Sequence, residues 1–334
     1  MISKSLFQFN KILNIHFAVE SNSMNVVEII NVSKSFNKKQ VLNHLNFNIE
    51  DGEIFGLLGG NGAGKSTITN IIFGLEEPTS GEVKIFSKET PKEARNKMGL
   101  VPQETAFYNE FTVRENILFF AYAFGLGSKA VERSNHVLKW LDLEDFSSIQ
   151  AGHLSGGYQR MLNTAITLLP DPRIIFFDEP TVGLDPEMRR SFWKLIKSLK
   201  EMGKTIILTT HYMDEAENLC NRIILLKKGN LLIEGNPNKL INEHGGERMV
   251  RFELVKEMSP THVTNLSELL NTKVTLAGNS IYFAENKNNS LVAGNWIEKK
   301  KLEILSIEIK EPSLENAFIN LLGEKPVEVT DVKK

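Results

Sequence analysis

Nine consecutive residues, Gly59-Gly60-Asn61-Gly62-Ala63-Gly64-Lys65-Ser66-Thr67, constrain this chain more than any other stretch. They follow the apolar run Ile54 to Leu58 and precede Ile68, Ile71 and Ile72 at helical spacing, so the local order is strand, glycine-rich turn, helix. The pattern is G-x-x-x-x-G-K-[ST] in the context it requires. Glycines let successive backbone N–H groups converge on phosphate oxygens, and the helix N-terminus adds partial positive charge. Lys65 reaches the terminal phosphates and Ser66 ligates Mg²⁺. A glycine-rich turn without a ligand has no need of a lysine and a hydroxyl at the helix start, so the expected ligand is a nucleoside triphosphate.

A chain of 334 residues has room for about two domains. Its net charge of −2 gives no reason to expect nucleic acid as a partner. The single Cys220 excludes an internal disulfide framework and reads as a buried small hydrophobe. No run approaches the ~20 apolar residues of a membrane span, the nearest being Ile117 to Gly125. Residues 1–23 carry neither a continuous apolar core nor a small-residue cleavage site, so they read as an appendage and not a signal peptide. Met24, which opens the strand pattern Met24 to Ile30, is a second candidate start.

From Met24 to Glu82 the pattern is β-rich, with Leu45, Phe47 and Ile49 alternating before Asp51-Gly52. Strands are expected at Gly81 to Phe86 and Met98 to Val101. About residues 104–150 read as a helical insert, with Val113, Ile117 and Phe120 on one face and Val137, Leu138 and Leu141 on another. The short apolar runs Arg173 to Phe177 and Thr205 to Leu208 are spaced by a helix, which indicates a parallel sheet covered on both faces. That helix is well marked: Asp185 caps it, Pro186 suits its first position, Phe192, Leu195, Ile196 and Leu199 form its stripe, and Gly203 ends it. A hairpin around Lys228-Gly229-Asn230 closes the domain, placed at residues 24–240. Beyond Gly245 the punctuation restarts, and residues 245–323 follow a β-α-β-β-α-β, ferredoxin-like order with a last helix capped by Ser313. Residues 324–334 read as a disordered tail. The fold class is α/β, with an N-terminal antiparallel part and a small C-terminal α+β domain.

The run Ile174 to Phe177 delivers Asp178 and Glu179 at the C-terminal end of a strand, where ligands bind in an open α/β sheet. Beside a phosphate-binding loop, Asp178 is placed to hold Mg²⁺ and Glu179 to deprotonate an attacking water. Leu154-Ser155-Gly156-Gly157-Tyr158-Gln159-Arg160 opens another helix, and this start is either a plain cap or a second anion site.

With these motifs in order, the stretch from about Met24 to Glu234 resembles the ATP-binding subunits of ABC transporters, and the C-terminal sequence ending Pro312 to Phe318 is similar to that of drug-resistance and daunorubicin-type exporters. The resemblance implies that Ser155, Gly156 and Gly157 of one subunit close over ATP held by Gly59 to Thr67 of another, in a head-to-tail dimer. It implies that Gln103 ligates Mg²⁺ and senses the membrane partner, that His211 contacts the γ-phosphate, and that Asp185 communicates across the dimer. Phe36 stands where an aromatic stacks on adenine, although a core phenylalanine fits the residue equally well. Gly60 replaces a frequent proline, and Phe146 to His153 lack the Thr-Glu-Val-Gly pattern of fused multidrug exporters. The expected protein is an ATPase with ATP and Mg²⁺, working as a homodimer or heterodimer with a separate transmembrane permease on the cytoplasmic face of the membrane. Phe107, Tyr108 and Phe111 are candidate contacts to that permease. The competing reading is a soluble ABC-type ATPase of translation or DNA maintenance, which usually has two cassettes or a long coiled coil.

Overall fold

A computed structural model describes residues 24–37, 39–286 and 288–322. The expectations for residues 1–23 and for the tail 324–334 lie outside the described residues. The described chain divides into two compact units between Gly235 and Asn236.

The first unit opens with strands β1 (Asn25–Phe36) and β2 (Lys39–Glu50), paired antiparallel. Then come β3 (Ile54–Leu58), helix α1 (Lys65–Ile72) and β4 (Ser80–Ile85), which joins the free edge of β1 to give the order β2-β1-β4. Helix α2 (Pro91–Ala94) leads to β5 (Met98–Val101). The helical insert holds α3 (Val113–Ala123) and α4 (Ala130–Trp140), and α5 (Gly156–Leu168) follows it. Next follow β6 (Ile174–Asp178), α6 (Pro186–Glu201), β7 (Thr205–Thr210), α7 (Met213–Leu219), β8 (Arg222–Lys227) and β9 (Asn230–Gly235).

The second sheet runs β5-β6-β7-β3-β8-β9, parallel except for the antiparallel edge strand β9. Every residue of β3 and β7 is buried, as continuous apolar runs in a doubly covered sheet require. Gly56 lies in β3 because a Cβ there would stand 2.8 Å from the Cys220 sulfur, so Cys220 is indeed a packing residue behind the central strand. The antiparallel and parallel sheets share one core, marked by the stacked rings of Phe47 and Phe55 at 5.6 Å.

The insert differs from the expected helical run in its first part. Residues 104–111 are not helical, because the Asn116 side chain accepts from the Tyr108 N–H at 2.8 Å and donates to the Tyr108 carbonyl at 2.9 Å. Those bonds satisfy backbone groups that a helix would otherwise use. The helix waits for Thr112, whose side chain accepts from the Glu115 N–H while Glu115 reaches back, a reciprocal cap.

The second unit begins earlier than Gly245. Helix α8 (Pro237–His244) packs with the last helix, α11 (Leu314–Leu322), and the Asn320 amide donates to the His244 carbonyl at 2.8 Å. Between them lie β10 (Met249–Leu254), α9 (Pro260–Leu270), β11 (Thr275–Ala277), β12 (Ser280–Ala284), α10 (Asn289–Lys299) and β13 (Ile304–Lys310). The antiparallel sheet order β11-β12-β10-β13 is the ferredoxin-like one. Val250, Phe252, Leu254, Ile281 and Phe283 form a buried face beneath Leu266 and Ile297.

Candidate active site

Strand order positions the site. β6, β7 and β3 are adjacent, and their registers place Asp178 opposite Thr209 and Leu58 opposite Thr210. The glycine-rich turn after β3, the carboxylates ending β6 and the His211 loop after β7 therefore emerge at one edge of the sheet. Val101 pairs with Phe177, which brings Pro102 and Gln103 to the same edge.

The result is a cleft of about 420 Å³ lined by Gly60 to Thr67, Gln103, Asp178, Glu179, His211 and Val41. Backbone geometry explains the turn. Gly59, Gly62 and Gly64 have φ of 152°, 74° and 109°, values that glycine adopts without strain. A Cβ on Gly59 would meet the Leu226 carbonyl at 2.5 Å, so this glycine lets β8 approach the turn and does not line the cleft. Gly60 and Gly62 have open space where a side chain would be, leaving their backbone accessible.

Lys65 is buried, and its ammonium donates to the Gly59 carbonyl at 2.7 Å and the Gly60 carbonyl at 3.3 Å. Glu179 Oε1 stands 3.8 Å from the same nitrogen. Burial pushes the Lys65 pKa below its ordinary value, while the Glu179 and Asp178 carboxylates pull it back. Glu179 Oε1 is also 3.1 Å from His211 Nδ1, so a cation, a carboxylate and an imidazole meet at one oxygen. The Glu179 backbone is left-handed, with φ of 45°, held by its N–H donating to the Thr209 carbonyl and hydroxyl, each at 3.1 Å. The Thr209 hydroxyl in turn donates to Asp178 Oδ1 at 2.5 Å.

Ser155, Gly156, Gly157 and Asp185 do not line this cleft. Ser155 occupies the N-cap position of α5, yet its side chain makes no capping bond, unlike Asp185, which accepts from the Glu187 and Met188 N–H groups. Ser155 and Gly156 are exposed, whereas a Cβ on Gly157 would stand 2.5 Å from Met188 Cγ. The start of α5 thus abuts the start of α6. Arg160, buried one turn further along α5, donates to the Pro102 carbonyl and so anchors the residue before Gln103. Phe36 does not line the cleft either. It is 42% exposed and lies under the Lys34 ammonium at 4.7 Å, so it is not a core phenylalanine.

Residues 42–182 match the family described as ABC transporter. Over 309 residues the chain is 36% identical to the Nod factor export ATP-binding protein I of Sinorhizobium fredii, across 91% of this chain and 88% of that protein. The chain belongs to the ABC transporter ATP-binding family. A second relative of the same printed name, from Rhizobium meliloti, is 42% identical over 230 residues, 68% of this chain and 69% of its own length. Among solved structures, cbiO1 from Clostridium perfringens, described as part of the ABC transporter complex cbiONQ, aligns with a TM-score of 0.62 at 27% identity, covering 66% of this chain and 92% of that one. A dimeric post-hydrolysis state of the ATP-binding cassette MJ0796, bound to ADP and Pi, aligns at 0.57 and 32% identity, covering 63% of this chain and 98% of that one.

As a member of this family the chain is an ATP-binding, ATP-hydrolysing subunit of a transporter, and the reading as a soluble ATPase of translation or DNA maintenance falls away. Among the described residues no helix is long and apolar enough to cross a membrane. Reading the ABC motifs from sequence missed two contributors to the cleft. Val41 comes from β2, and Thr209 on the neighbouring strand holds the Asp178 carboxylate and the Glu179 backbone N–H. A hydroxyl two residues before His211 was the only signal for Thr209; nothing in the local sequence marked Val41.

Proposed function

We propose that the cleft binds ATP with Mg²⁺ and hydrolyses it in a closed dimer that drives export through a separate membrane subunit. One observation carries this reading: Gly60 to Thr67, Gln103, Asp178, Glu179 and His211 converge on one cleft, while the exposed Ser155 and Gly156 face elsewhere. A half-site of this kind is completed when a second copy, or a close relative, sets its Ser155 to Gly157 over the phosphates.

Ser66, Gln103 and Asp178 offer oxygen donors of the kind a hard dication takes. Mg²⁺ supplies neutralisation of phosphate charge. The remaining work belongs to side chains and backbone. The turn N–H groups and Lys65 hold the phosphates, Glu179 accepts the proton of the water that attacks the terminal phosphorus, and His211 orients Glu179 from 3.1 Å. Asp185 carries the state of one site to the other across the dimer.

An apolar groove of about 290 Å³, lined in part by Phe73, Leu100, Phe120, Phe124 and Ile166, adjoins Pro102. Tyr108, Phe111 and Phe119 are exposed beside Phe120. In this reading these surfaces form the docking face for the membrane subunit, and the chain works at the cytoplasmic face of the membrane. Relatives named for export support the outward direction. The test is Glu179→Gln in the full chain. Turnover should fall by roughly 100-fold or more while ATP binding persists and an ATP-dependent dimer accumulates on size-exclusion chromatography. A variant that hydrolyses ATP at the unmodified rate removes Glu179 from the mechanism.

A further inference from the structure

Glu215 is a carboxyl in the wrong place for stability alone. It lies in the first turn of α7, four residues after His211, and is 1% exposed. Its Oε1 accepts from the Thr181 hydroxyl at 2.9 Å and from the Trp193 indole N–H at 3.3 Å. Its Oε2 is fully buried and receives no well-aligned hydrogen bond among the described residues, the Thr210 hydroxyl only bordering the carboxyl. An apolar side chain would fill the same space without burying an unmatched polar atom.

What Glu215 touches gives it a different use. Thr181, itself buried, lies two residues after Glu179 and four before Asp185, and Trp193 belongs to α6, the helix that Asp185 caps. Thr210, immediately before His211, borders the same carboxyl, and its hydroxyl accepts from the Tyr212 N–H at 3.0 Å. The segment from Glu179 to Asp185 is therefore pinned to the His211 segment twice, at Glu179 N–H on Thr209 and at Thr181 on Glu215, on either side of Pro180. A third tie comes from Arg189 of α6, whose guanidinium lies 5.0 Å from the Tyr212 ring centroid and 3.5 Å from Asp214.

We infer that Glu215 is a positioning residue that couples the Thr181–Asp185 turn to the His211 loop, so that the residue aimed at the second site and the histidine of the first change position together. This rests on the reading above, in which His211 orients Glu179 at one site and Asp185 carries the state of that site to the other. It adds a residue in contact with neither the cleft nor the start of α5.

Hydrogen exchange of the full chain, read peptide by peptide, tests the coupling directly. In Glu215→Ala, exchange should quicken about tenfold in both the 180–185 and the 210–213 segments, and Glu215→Gln, which keeps an oxygen acceptor for Thr181 and Trp193, should restore both. Thr181→Val, which removes one hydroxyl, should quicken the same two segments. In the ATPase assay, Glu215→Ala and Thr181→Val should each lower kcat by about tenfold with the KM for ATP within about threefold, and the double variant should be no worse than either alone. Quickening confined to α7, or additive losses in the double variant, overturns the coupling. So does unchanged exchange at 180–185 in Thr181→Val, which covers the case where Glu215→Ala does not fold. Absence of turnover in the unmodified chain would count against the site reading, while the exchange arm would still decide the coupling.

Discussion

At the scale of single residues, the cleft is a problem of placing charges close together. Lys65, Glu179 and His211 share one carboxylate oxygen, so removing any of them alters the other two. Lys65→Ala is expected to weaken ATP binding by about 10- to 100-fold, the usual worth of hydrogen bonds to a charged group, and to leave ADP less affected. Isothermal titration of both nucleotides checks it, and equal losses for the two would contradict a role at the terminal phosphate. Glu215 gives a pH dependence. Burial raises its pKa above the usual carboxylate value, opposed by the hydroxyls and indole around it, with Asp214 adding to the rise. The folded chain then keeps a proton there that the unfolded chain has released. Its cost to stability starts as pH rises past the unfolded carboxyl value, ordinarily about 4.3, and levels off above the folded pKa. Relative to the unmodified chain, Glu215→Gln should therefore gain in thermal midpoint from pH 4.5 to pH 8, a trend readable by calorimetry at several pH values.

Between elements, the informative contact is the start of α5 against the start of α6. A Cβ at Gly157 would overlap Met188, so Gly157→Ala must push α5 away from α6 or force the methionine aside. The expected cost is about 1–3 kcal/mol, seen as a lower thermal midpoint, together with a loss of ATPase activity greater than the loss of stability explains. Ser155 makes no capping bond, so Ser155→Ala should leave the thermal midpoint within about 2 °C. It should impair hydrolysis only at the site that its own copy covers. Dimers carrying one Ser155→Ala copy, with Glu179→Gln marking one site at a time, test this, and equal loss at both sites contradicts action in trans. This scale also separates what could be read in the sequence from what could not. The glycine-rich turn, Asp178-Glu179, the Asp185 cap and the Gly203 stop are local patterns, each set by residues within a few positions of one another. Thr209, Val41 and Glu215 matter only through neighbours brought in by sheet order, and no spacing along the chain announces that β7 will lie between β6 and β3. The turn at residues 104–111 was hidden for a different, local reason: the side-chain bonds of one asparagine, five residues on from Phe111, outweigh helical propensity.

Across the whole molecule, two units with separate cores share the chain, and each core is complete within its own unit. The first core begins at Val26, fully buried two residues after Met24, which makes residues 1–23 a fair target for deletion. A chain starting at Met24 is expected to melt within about 2 °C of the full one, and a drop beyond about 5 °C would show that the extension contributes to the fold. The left-handed backbone at Glu179 reaches furthest beyond its own position. A side chain costs roughly 1–2 kcal/mol in that conformation, and glycine almost nothing. Glu179→Gly would relieve that cost, and wherever the relief exceeds the lost contacts to Lys65 and His211 a screen for heat resistance would reward it, although it removes the carboxylate assigned to water. Directed evolution of this ATPase for robustness alone would tend to drift toward inert protein, and a selection that also demands turnover is the safeguard.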